Sequence, residues 1–127
     1  MSHVNTKWEI NGLVFGLDLE DADTAERYEE AFEKMEAEEK LMPKDGKLSD
    51  KIRSYSALFE HLYDNLFGEG SGKAILGDKA NTRICNEVYD SFLNFVANQK
   101  NDALAYQNSL TSKYSPNRAQ RRAAAKK

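Results

Sequence analysis

Soft metal ligands are scarce in this 127-residue chain. They are His3, His61 and Cys85, and no two of them stand at a ligand spacing. No serine or cysteine has a sequence-evident His/Asp partner. The stretch from Gly68 to Lys73 has the look of a phosphate loop. Yet Phe67 stands where the first glycine of that motif belongs, and Ala74 replaces its magnesium-binding hydroxyl. Carboxylates are abundant between residues 20 and 40, with ten acids against three bases, a net of -7. Their helical spacing predicts a solvated face rather than an acid–base pair. These residues predict no enzyme, no metal site and no cofactor.

The other charged feature is the end of the chain. Residues 113–127, KYSPNRAQRRAAAKK, carry six positive charges and no acid, so residues 1–112 carry -9 of the total -3. With no large apolar residue after Tyr114, this end is expected to be a basic tail outside the core. Arg118, Arg121 and Arg122 fall at helix-compatible spacing and could meet a protein partner or phosphates. The acidic body and the lack of aromatics within the basic cluster argue against nucleic acid.

The elements that position these groups follow from apolar spacing. Trp8 and Ile10 alternate with charged residues, Asn11-Gly12 follows, and Leu13, Phe15, Leu17 and Leu19 continue at period two. Both turn residues tolerate positive φ, which predicts a hairpin over 6–19 pairing Ile10 with Leu13 and Trp8 with Phe15. A helix is expected over about 23–41, capped by Asp23 with Glu26, its stripe made by Tyr28, Ala31, Phe32 and Met35. A second, over 49–67, carries Ile52, Tyr55, Leu58, Phe59, Leu62, Tyr63, Leu66 and Phe67. Residues 68–80 form a glycine-rich connection with an apolar knot at Ile75-Leu76. The last helix spans about 82–112, begins at Asn81 or Thr82, and either runs unbroken or breaks near 98–102.

The fold class is therefore α+β and mostly helical. One domain, 1–112, packs an N-terminal hairpin on about three helices, and 113–127 forms the tail. Cys85 lies on an apolar face as inert core, and His61 beside one as a partly exposed packing residue. No apolar run reaches signal-peptide or membrane-spanning length, so a cytoplasmic protein is expected.

Three stretches together carry a resemblance: the hairpin leading into DADTAERYEEAFEKM, the LFGEGSGKAILGDKANTRICNEVYDSFLNFV region, and KYSPNRAQRR. The pattern resembles the tail assembly chaperone family of long-tailed phages and prophages of Gram-positive bacteria. The resemblance implies a non-catalytic, mostly helical protein that coats the tape measure protein until tail tube subunits replace it. The partners it implies are the tape measure protein, the tail tube protein and a frameshifted longer form of the chain. Homo-oligomers along the client fit the same role, in the cytoplasm of an infected or lysogenic bacterium. On this reading the client meets Tyr55, Phe59, Leu62, Tyr63 and Phe67, with Arg118, Arg121 and Arg122 as an auxiliary arm. A head–tail connector, a minor tail component and a small nucleic-acid-binding regulator are the alternative expectations.

Overall fold

The computed structural model describes residues 4–114. Two strands, β1 (Lys7–Ile10) and β2 (Leu13–Gly16), precede helices α1 (Ala22–Lys40), α2 (Leu48–Phe67), α3 (Ser71–Leu76) and α4 (Thr82–Tyr114). The expected α+β, mostly helical class is the observed one. The basic segment from 115 onward, with Arg118, Arg121 and Arg122, lies outside the described residues.

The hairpin has the register that its turn demands. Trp8 pairs with Phe15 and Ile10 with Leu13. Asn11 and Gly12 adopt φ of 51° and 78°, the left-handed values a type I′ turn needs. Alternation then places Trp8, Ile10, Leu13 and Phe15 on one face, and a two-stranded sheet is too small to keep that face alone. Trp8 fills the centre of the core, with its ring 5.2 Å from Phe92, 5.8 Å from Tyr63 and 5.9 Å from Phe67. Its indole N–H donates to Ser91 Oγ at 3.1 Å, so burial leaves no orphan donor.

Gln99 fastens the two ends of the hairpin to α4. Its Oε1 accepts the Leu19 N–H at 2.7 Å. Its Nε2 donates to Leu17 O at 2.7 Å and to Asn5 O at 3.2 Å. The side chain is 1% exposed, a depth an amide tolerates only with such partners.

Several local boundaries differ from the sequence expectation. Helix α1 is capped by Asp21, not Asp23. A turn closed by Asp21 N–H on Asp18 O leaves Asp21 extended, and its carboxylate accepts from Thr24 N–H and Oγ1 at 3.0 and 2.9 Å. Those bonds, the backbone one foremost, hold its carboxyl below the ordinary range. The connection 68–80 contains a helix, α3. Asp64 of α2 accepts the Gly72 N–H at 2.8 Å, and Ile75 and Leu76 are buried. Gly72 lies against α2 so closely that a Cβ there would sit 2.2 Å from Glu60 O. Helix α4 runs unbroken through 98–102, and Asn81 caps it through Oδ1 to Ile84 N–H. Its buried residues end at Gln99, and none from 100 to 113 is buried.

Candidate apolar binding cleft

The α1 stripe is narrow, the α2 stripe wide, and α4 crosses near both. Phe32 of α1 stacks 6.4 Å from Phe92 of α4, and Lys100 of α4 stands 5.6 Å over the Tyr28 ring. Where the three helices diverge they leave an open cleft of about 380 Å³. Phe32 and Met35 come from α1, Tyr55, Leu58 and Phe59 from α2, and Tyr89 from α4. Glu36 and Glu39 stand at its rim.

The cleft is a packed aromatic surface. Phe59 lies 4.9 Å from both the Tyr55 and Tyr89 rings, edge-on to the first. Leu58 and Phe59 are buried and form the floor, whereas Phe32, Met35, Tyr55 and Tyr89 are half-buried. The Tyr55 hydroxyl and Asn86 Oδ1 lie 2.6 Å apart, which sets the ring across α2 and α4. Burial foremost, and then nearby acidic groups, raises the Tyr55 and Tyr89 phenols above their ordinary range. At neutral pH both are uncharged, so the cleft presents apolar faces with hydroxyl edges.

The residues expected to meet a client divide into three places. Tyr55 and Phe59 line this cleft. Leu62 and Tyr63 do not: at 1% and 0% exposure they belong to the core that also holds Trp8 and Phe92. Tyr63 is among the ring neighbours of both, and burial drives its phenol strongly upward. Phe67 is half-buried in a different cleft, beside Phe15 at 4.9 Å. The α2 sequence could not separate these, because its apolar residues occupy much of the helix circumference. Phe32 and Met35 were readable as helix-face residues; Tyr89 was missed, although it stands four after Cys85 and three before Phe92, and only the crossing of three helices brings the three together.

The cleft presents aromatic and aliphatic side chains with two carboxylates beside them. Cys85 is buried, and desolvation foremost raises its thiol above the ordinary range. His61 pairs with Glu38 at 2.7 Å on the exposed α1–α2 seam. Among the described residues no group of three or more His, Cys, Asp or Glu could hold a metal ion. No helix among them is long and apolar enough to cross a membrane.

Residues 11–125 match a protein-family model described as "Family of unknown function (DUF6673)", and the chain belongs to that family. No curated protein and no solved structure matches.

Proposed function

We propose that this member of the family is a phage tail assembly chaperone, which binds and solubilises the tape measure protein during tail morphogenesis without catalysis. It would act in the cytoplasm of an infected or lysogenic bacterial host. The resemblance over the hairpin, α1, the α3–α4 region and the basic end supplies the client. The observation that carries the binding mode is the open aromatic cleft between α1, α2 and α4, with its acidic rim.

A cleft of this size accepts a few apolar side chains at i, i+3 and i+4 spacing from one amphipathic helix. Burial of one large apolar side chain is worth about 1.5–3 kcal/mol, before the ordering cost of binding. Affinity per site is then modest, which suits a coat that tail tube subunits must displace. Glu36 and Glu39 favour client segments whose apolar face is flanked by Lys or Arg.

Co-expression with the longest helical protein encoded beside this chain tests the reading. The client is expected in the soluble fraction, in complex, and the variant Met35→Lys is expected to lose it while keeping the native circular dichroism. A client that stays insoluble alongside the wild-type chain rejects the proposal.

A further inference from the structure

Gly16 stands in β2 with an ordinary φ, and no atom lies within 4 Å of where its Cβ would be. The isolated fold therefore gives no reason for glycine there, and a strand glycine often marks the approach of another backbone. Its surroundings point the same way. In an antiparallel pair, opposed residues alternate between bonded pairs and pairs whose main-chain groups turn outward. The two-residue turn makes Ile10 and Leu13 a bonded pair, and the Leu17 N–H to Thr6 O bond at 2.8 Å keeps that parity. Val14 and Gly16 thus direct their N–H and C=O groups away from β1. Among the described residues nothing bonds these groups. This edge lines an open cleft of about 380 Å³ together with Asp64–Gly68 and Arg27. Val14 is 57% exposed, and the strand Leu-Val-Phe-Gly has none of the charges or prolines that normally guard an edge.

We infer that β2 is a dimerisation edge, pairing antiparallel with β2 of a second copy about a two-fold axis through Phe15. This inference is independent of the chaperone reading. With that axis Val14 stands opposite the partner's Gly16, and Gly16 opposite the partner's Val14. All the outward main-chain groups of both residues then find partners. The valine side chain lies over the bare glycine, so the surface is self-complementary. The result is a four-stranded sheet in the order β1-β2-β2-β1, with a core face on one side.

Charge selects a second copy over an unrelated strand. On the outer face each row would read Lys7, Gly16, the partner's Val14 and the partner's Glu9. Lys7 and Glu9 are both exposed, and every row ends in opposite charges about 14 Å apart at the backbone, three strand spacings. Their side chains reach toward each other over the glycine, with no like pair in a row. The edge is short, so its area falls below the ~1,200 Å² of a stable complex, and the dimer should be weak and reversible.

Sedimentation velocity on the full chain, from about 10 μM to about 1 mM, tests this. A monomer–dimer equilibrium is expected, with the Val14 and Gly16 amide hydrogens exchanging more slowly as the dimer fills. Val14→Lys and Gly16→Pro, each outward-facing in the monomer, should weaken association at least about tenfold. Circular dichroism establishes that each variant is folded. If either variant unfolds, exchange at Val14 and Gly16 in the wild type decides. A monomer throughout the range overturns the inference. So does a dimer that folded variants leave intact, or one whose Val14 and Gly16 amides exchange as fast as in the monomer.

Discussion

Gln99 does at one position what a longer sheet would otherwise do. A two-stranded hairpin leaves main-chain groups without sheet partners, and this amide satisfies three of them from α4. Gln99→Leu keeps the volume but orphans those groups, so it should cost about 2–4 kcal/mol in urea unfolding. Gln99→Glu should depend on pH with a defined sign. As a neutral acid the side chain can still donate to one carbonyl. As an anion it faces Leu17 O and Asn5 O with no proton, so its folded pKa must rise above the ordinary value. The variant should therefore approach wild-type stability below about pH 4 and lose ground as pH rises through that raised value. A deficit that is flat from pH 3 to pH 8 would refute this account. Gly72 carries a second residue-level constraint. Gly72→Ala drives its methyl into the Glu60 backbone and should cost about 1–3 kcal/mol, with faster hydrogen exchange in α3 than elsewhere.

At the scale of elements, the Asn11-Gly12 turn and α3 form one unit. Asn11 holds a positive φ and also donates from Nδ2 to Ile75 O at 2.9 Å. Asn11→Ala removes both, so a loss of about 1–2 kcal/mol is expected, with exchange rising in β1, β2 and α3 together. If only the hairpin amides respond, the tie to α3 is unimportant. The hairpin was legible because its signal is local: Asn-Gly fixes the turn, and alternation fixes the face. Helix α3 was not, since its helicity comes from Asp64 reaching across from α2 and from burial of Ile75 and Leu76. The α1 cap was misread for a related reason. Asp23 with Glu26 has the capping-box spacing, but the Asp18–Asp21 turn delivers Asp21 to the extended position instead. For the cleft, the sequence supplied Tyr55 and Phe59 but also Leu62 and Tyr63, because one stripe of α2 faces both the cleft and the core. Which ring goes where depends on the angle at which α4 passes, and periodicity carries no angle.

The whole molecule separates its charges: residues 1–112 hold -9, residues 113–127 hold +6, and the α1 region alone holds -7. Of the α1 acids, Glu36 and Glu39 stand beside the aromatic cleft, so electrostatics and burial act on the same incoming segment. Two peptides separate the two effects. Both present the same apolar stripe on an amphipathic helix, one flanked by Lys and the other by Glu. Two exposed charge pairs at the rim, each worth about 0.2–1 kcal/mol, should favour the basic peptide roughly two- to thirty-fold in fluorescence anisotropy at low salt. Raising ionic strength toward 1 M shortens the screening length to about 3 Å, so the preference should largely vanish. The binding that survives is the apolar part, and Met35→Lys should abolish it for both peptides because the ammonium enters the cleft. Equal affinities at low salt would remove Glu36 and Glu39 from recognition. A Met35→Lys chain that binds as well as wild type would move the site elsewhere. Loss of the preference with salt, together with loss of the remainder on blocking the cleft, would assign selectivity to the rim and affinity to the rings.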